Sequence, residues 1–163
     1  RPSWSPDGTA IIFGRATADT NRNGYVTVND FTDIYTLDIA SGEEKNLTNT
    51  PEVGEFNFAW SPNGNWIAYT TMRRDVNGDG SVNLDDSEDL FIIPSGGGDE
   101  QHLNLRGNAV FSPSWSPDGR FLLILVMEDD GQTTIWRYDN WTEDFIRITE
   151  AGPYYHPRYS NTP

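Results

Sequence analysis

A five-residue phrase recurs along this chain at nearly constant intervals, and that recurrence constrains the fold more than any other feature. Trp4-Ser5-Pro6-Asp7-Gly8 returns as Trp60-Ser61-Pro62-Asn63-Gly64 and as Trp115-Ser116-Pro117-Asp118-Gly119, with the tryptophans 56 and then 55 residues apart. A degraded fourth start, His156-Pro157-Arg158-Tyr159-Ser160-Asn161, echoes the first six residues, and Tyr159 follows Trp115 by only 44. A period of this length marks a repeat architecture, in which each unit buries its apolar face against the next. Helices are not expected. No stretch keeps apolar residues at i, i+3, i+4 and i+7 for three turns, and 15 Gly and 10 Pro interrupt the chain throughout.

Each repeat reads as four short strands. The first carries the Trp, and Ser-Pro-Asp/Asn-Gly follows as a turn: Pro presets φ, Asp or Asn bonds back to the backbone, and Gly permits the tight exit. The second strand is apolar (Ala10–Phe13, Trp66–Thr71, Phe121–Met127) and the third is Asp33–Ile39, Asp89–Ile93 or Thr133–Tyr138. A polar or Gly-rich turn then leads to the fourth, Lys45–Thr48, His102–Leu105 or Phe145–Thr149. Four antiparallel strands per ~40–55 residues make one propeller blade. The expected division is 1–57 for blade 1, 58–112 for blade 2, 113–152 for blade 3, and 153–163 for the start of a further blade or a closing strand.

The phrase W-S-P-D-G, an apolar strand, and then Asp33-Ile34-Tyr35 with Leu47-Thr48, Asp89-Leu90-Phe91 with Leu103-Asn104, and Ile135-Trp136 with Ile148-Thr149 resemble the WD40-like repeats of TolB-type β-propellers. The resemblance covers nearly the whole chain. It implies an all-β fold of three four-stranded blades, half a propeller, and a role as an interaction platform or as an accessory domain of a peptidase. Rings need roughly four to eight blades, so three blades alone would leave two apolar faces open. Two copies joining into a six-bladed homodimer are the preferred expectation; the remaining blades of a longer chain are the other. A chain that starts at Arg1 is read as a processed or excised piece.

Charge narrows the partners. With 25 acidic and 11 basic residues the net charge is −14, which disfavours nucleic acid and anionic membrane surfaces. Seven residues, Phe121–Met127, form the longest apolar run, well short of the ~18 a membrane span needs. With no cysteine, disulfides, zinc–thiolate sites and thiol nucleophiles are absent.

Chemistry concentrates in two insertions between strands two and three of blades 1 and 2, which also explains why blade 3 is shorter. Residues 19–30 and 75–86 both fit the twelve-residue calcium loop: oxygen side chains at positions 1, 3 and 5, Gly at 6, a backbone carbonyl at 7 and a carboxylate at 12. The expected ligands are Asp19, Asn21, Asn23, Tyr25 and Asp30 in the first, and Asp75, Asn77, Asp79, Ser81 and Asp86 in the second. Asp19 to Asp75, Gly24 to Gly80 and Asp30 to Asp86 each span 56 residues, the blade period itself. The second loop resembles the EF-hand-like loops of dockerins, although a strand follows where dockerins have a helix. Two Ca2+ per chain are expected, tighter at the second loop, whose ligands include three carboxylates against two.

Elsewhere no enzyme signature emerges. His102 and His156 have no Ser or Cys at a recognisable spacing, and no G-x-S-x-G or H-E-x-x-H is present. The expectation is therefore a non-enzymatic, calcium-stabilised platform for an unknown protein or glycan ligand, in an extracytoplasmic (periplasmic or secreted) bacterial setting. The alternative is the propeller portion of a larger enzyme such as a peptidase, and a third reading is a structural repeat of a surface protein.

Overall fold

A computed structural model describes residues 2–51, 53–73, 75, 78–80, 82, 88–103, 105, 110–128 and 130–159. Their secondary structure is twelve strands with no helix among the described residues. The first sheet comprises β1 (Ser3–Trp4), β2 (Ala10–Ala16), β3 (Thr32–Asp38) and β4 (Glu44–Asn46). The second comprises β5 (Glu55–Trp60), β6 (Trp66–Thr71), β7 (Asp89–Pro94) and β8 (Gln101–Leu103). The third comprises β9 (Val110–Trp115), β10 (Phe121–Met127), β11 (Thr133–Asp139) and β12 (Asp144–Arg147). Every sheet runs antiparallel in sequence order, so each is one blade. The fourth strands begin one residue earlier than the sequence pattern places them. Leu47 and Ile148 follow β4 and β12 but still donate their N–H to Ile34 and Ile135, at 2.8 and 2.7 Å.

The repeated phrase builds the same turn three times. Ser5, Ser61 and Ser116 are buried, and each hydroxyl donates to the Asp or Asn two residues on, at 2.6, 2.7 and 2.5 Å. The same oxygen accepts the N–H of Ala10, Trp66 or Phe121 at 2.9 Å. Gly8, Gly64 and Gly119 close the turn with φ of 71°, 74° and 70°, a left-handed conformation that glycine adopts without a Cβ clash. The serine thus satisfies a backbone donor at the first β-hairpin of each blade, which its sequence position alone does not reveal.

Stacking follows from strand alternation, since successive side chains point to opposite faces. On one face, Ile67, Tyr69, Phe91 and Ile93 of blade 2 are buried against Ile12, Ile34 and Leu47 of blade 1. Blade 2's opposite face, with Ala68, Leu90 and Leu103, packs on Trp115, Leu122, Ile124 and Tyr138 of blade 3. Burial of such side chains stabilises by roughly 1.5–3 kcal/mol each relative to exposure. The positions repeat in register: 11, 13, 35 and 37 correspond to 67, 69, 91 and 93, and to 122, 124, 136 and 138.

The ends of the stack differ from its middle. On blade 1, Ile11, Phe13, Tyr35 and Leu37 are only half-buried, and Trp4 is 61% exposed where Trp115 is 7% exposed. On blade 3, Leu123 and Ile135 are half-buried and Ile148 is exposed, although their counterparts Ile12, Ile34 and Leu47 are buried. The two end faces are therefore of the two kinds that pair inside the molecule.

Candidate functional site

The insertion of blade 1 folds as a tight oxygen-lined loop. The Asp19 carboxylate accepts the N–H of Asn23 at 3.0 Å and of Gly24 at 2.7 Å. Asn21 Oδ1 also accepts from Asn23 N, at 3.1 Å, and Asn23 Oδ1 accepts from Tyr25 N at 2.9 Å. These short-range side-chain bonds wind the backbone inward, and Gly24 turns it with φ of 90°. Tyr25, at the position expected to offer a carbonyl, has an exposed side chain. Asp30 closes the base and is 5% exposed. It accepts the N–H groups of Thr20 (2.9 Å), Asn21 (3.1 Å) and Thr27 (2.8 Å), together with the Thr20 and Thr27 hydroxyls. These donors, first the Thr27 and Asn21 N–H groups, hold its carboxyl below the usual range. Asp30 thereby staples the two ends of the loop together.

The insertion of blade 2 starts in the same way. Asp75 accepts the N–H of Gly78 (2.7 Å), Asp79 (3.1 Å) and Gly80 (2.8 Å), and Gly80 again has φ of 90°. Asn77, Ser81 and Asp86 lie outside the described residues. Asp19 and Asp75, with Asn23 and Asp79, thus take equivalent parts in two copies of one turn. Its oxygen donors are the hard ligands calcium prefers. Among the described residues no three or more His, Cys, Asp or Glu side chains converge into a cation cage.

A second cluster escaped sequence reasoning. Three non-glycine residues with left-handed backbone, Asn57 (φ 49°), Ser112 (φ 54°) and His156 (φ 44°), each stand three positions before Trp60, Trp115 and Tyr159. In β5 the pairing shifts between Phe56 and Ala59, and β9 carries the matching irregularity opposite Leu123–Leu125. The bulges re-aim these side chains, and β5 and β9 lie side by side. Ser112 Oγ is 3.1 Å from Nδ1 of His156, although 44 residues separate them. Among the described residues no carboxylate pairs with His156. Asn57 Nδ2 donates to Thr70 Oγ1 and Glu88 Oε2, both at 3.2 Å. A recess of ≈ 500 Å³ is lined by Asn57, Phe58, Ser112, His156 and Arg158. The chain after blade 3 is brought here by Thr133, whose hydroxyl donates to the carbonyl oxygens of Gly152 (2.7 Å) and Tyr154 (2.9 Å).

A third polar group ties blade 1 to blade 2. Glu55, 1% exposed, accepts the hydroxyls of Thr50 (2.5 Å) and Thr48 (3.2 Å) and lies 3.6 Å from Arg73. Burial, with the Asp33 charge beside it, pushes its carboxyl up to about 7 despite those donors. Arg73 is also bonded to Glu100, which accepts the Tyr69 hydroxyl as well.

The blades, their order and their stacking define the chain as a β-propeller module of TolB-like architecture, three blades long. Solved structures agree: TolB from Acinetobacter baumannii superposes with a TM-score of 0.61 at 19% identity, over 91% of this chain and 31% of that one. The β-propeller domain of the Trilobed protease from Pyrococcus furiosus superposes with a TM-score of 0.62 at 18% identity, over 91% and 41%. In sequence, the chain is 29% identical over 151 residues to Dipeptidyl-peptidase 5 of Porphyromonas gingivalis, covering 91% of this chain and 20% of that protein. It is 27% identical over 132 residues to the uncharacterized peptidase YuxL of Bacillus subtilis, covering 81% of this chain and 18% of the relative. The chain thus spans about a fifth of the length of these relatives and matches only a propeller part. No protein-family model matches it. No helix among the described residues is long and apolar enough to cross a membrane.

Proposed function

We propose that the chain is the propeller portion of a larger, peptidase-like bacterial protein acting outside the cytoplasm, and that it binds and admits peptide without performing the hydrolysis. The sequence likeness to two peptidases along most of the chain carries this reading. The end faces support it: blade 1 offers Ile11, Phe13, Tyr35 and Leu37 to a blade of the kind that blade 3 presents with Leu123, Ile135 and Ile148. Further blades of a longer chain would satisfy both faces; so would a second copy, giving a six-bladed ring. Native mass spectrometry separates these: a monomer of 18.4 kDa fits further blades, and a stable species of twice that mass replaces them with a homodimer. Turnover of dipeptidyl aryl amides by the chain alone, lost in Ser112→Ala, would overturn the non-hydrolytic role.

The two acidic insertions support a second element, a structural calcium ion in each. The observation favouring it is the shared turn in which Asp19 and Asp75 gather the N–H groups of positions 5 and 6 and Gly24 and Gly80 adopt the same φ. In this reading Asp19, Asn21, Asn23 and the Tyr25 carbonyl hold one ion with Asp30 at the base, and Asp75, Asn77, Asp79, Ser81 and Asp86 hold the other. Calcium would neutralise loops that otherwise repel themselves. Titration calorimetry with CaCl2 tests this: two sites per chain are expected, with the tighter lost in Asp75→Ala/Asp86→Ala. Unchanged affinity in that variant would remove the assignment.

A further inference from the structure

We infer that the recess formed by Asn57, Ser112, His156 and Arg158 is a binding site for the C-terminal carboxylate and last amide N–H of a peptide with an apolar final residue. The argument starts from backbone cost. Left-handed conformation in a non-glycine residue is unfavourable and persists where the surroundings over-determine it, often at ligand-binding sites. Here it occurs at one repeat position in three successive inner segments, at Asn57, Ser112 and His156, and brings those three polar side chains to one recess with Arg158.

The chemistry of the lining selects the ligand. Arg15, Arg73, Arg120 and Arg147 are each ion-paired; Arg22, Arg137 and Arg158 are not among the described residues' ion pairs, and of these three Arg158 lines the recess. Arg158 is exposed and, among the described residues, makes no ion pair or hydrogen bond, in a chain with 25 acidic residues available. A guanidinium with no partner among the described residues, lining one recess with a hydroxyl and an imidazole, offers donors for a carboxylate. Both amide hydrogens of Asn57 go to Thr70 and Glu88, and its Oδ1, with no donor among the described residues, is an acceptor for an N–H. Glu88, the carboxylate bonded to the cluster, is half-buried, and burial raises its carboxyl above the usual range. An adjoining recess of ≈ 260 Å³ shares Asn57, Ser112 and His156 and adds the apolar surfaces of Leu125, Met127 and Tyr155. A carboxylate, an N–H and an apolar side chain together describe a peptide end more closely than a free organic acid.

This inference rests on the proposed peptide-binding role only for its choice of ligand, and the test separates the two. The chain is titrated calorimetrically with N-acetyl-Ala-Phe, with its C-terminal amide, and with 3-phenylpropionate. The free acid is expected to bind at least tenfold more tightly than the amide, and Arg158→Gln to erase that difference. Asn57→Gly, which keeps the left-handed backbone accessible and deletes the amide, is expected to weaken the peptide acid and leave 3-phenylpropionate unchanged. Equal binding of acid and amide overturns the carboxylate site while leaving peptide binding in place. Equal binding of 3-phenylpropionate and peptide acid overturns the peptide assignment, and absence of binding by all three overturns the site.

Discussion

Blade 1 and blade 2 carry the same face in the same register with opposite fates. Ile67, Tyr69, Phe91 and Ile93 lie in the core, and Ile11, Phe13, Tyr35 and Leu37, 56 residues earlier, remain half-exposed. Residue type does not separate them; the neighbour does. Blade 1's Ile12, Ile34 and Leu47 cover the face of blade 2, and among the described residues no fourth blade covers the face of blade 1. Even so, the uncovered face keeps internal order: Phe13 and Tyr35 stack with ring centroids 5.9 Å apart, and Arg15 lies 5.4 Å above the Tyr35 ring. A repeat unit therefore shapes a face for a partner by its own alternation, and stacking alone converts that face into stability.

The sharpest test of this contrast truncates the same position in both blades. Ile67→Ala is expected to cost about 2–5 kcal/mol in urea unfolding, as core truncations do, and Ile11→Ala under about 1 kcal/mol. Equal costs would mean that a partner covers blade 1 in solution. Next comes the acid at the contact between these blades. Glu55 titrates near 7 in the folded chain against 4.5 for the free side chain, so the native state binds more protons between those values. Stability from this group is therefore fullest below the unfolded value and is lost as pH rises toward 7. Glu55→Gln should raise the melting temperature at pH 8, by a free energy on the order of 3 kcal/mol at most, and should leave it nearly unchanged at pH 4.5. An equal shift at both pH values would place the effect in packing, not titration.

Smaller effects sharpen the comparison at the turns and loops. Ser61→Ala removes the hydroxyl that accepts the Trp66 N–H inside the stack and should cost about 1–2 kcal/mol. Ser5→Ala should cost about half that where water can replace the hydroxyl at the open end; thermal unfolding of the two variants compares them. The smallest global effect is expected from calcium. Chelation should speed amide exchange at residues 19–30 and 75–86 and leave β9–β12 unchanged, read by hydrogen exchange with mass analysis. Uniform loosening of all three blades would point to a role for the ion beyond the loops.

The chain's own order of residues determined the blades. A period set by Trp-Ser-Pro-Asp/Asn-Gly, an apolar second strand and a punctuating third turn mark the strands of each blade through local turn sterics and alternation. The turn that opens each insertion was legible for the same reason, because Asp19 and Asp75 bond N–H groups four and five residues away. One part of Asp30's role was not legible: its spacing marks a ligand position, and folding also brings it to the N–H groups of Thr20, Asn21 and Thr27.

Tertiary structure alone decided three things. It raised Glu55 through burial between blades. It made Trp115 core and left Trp4 outside, although both stand at the same place in the phrase. It also brought Ser112 to His156 across 44 residues and set both beside Asn57 and Arg158. Each of these depends on which surfaces come to lie together, and a repeat pattern records what every unit shares, not where in the stack a unit stands.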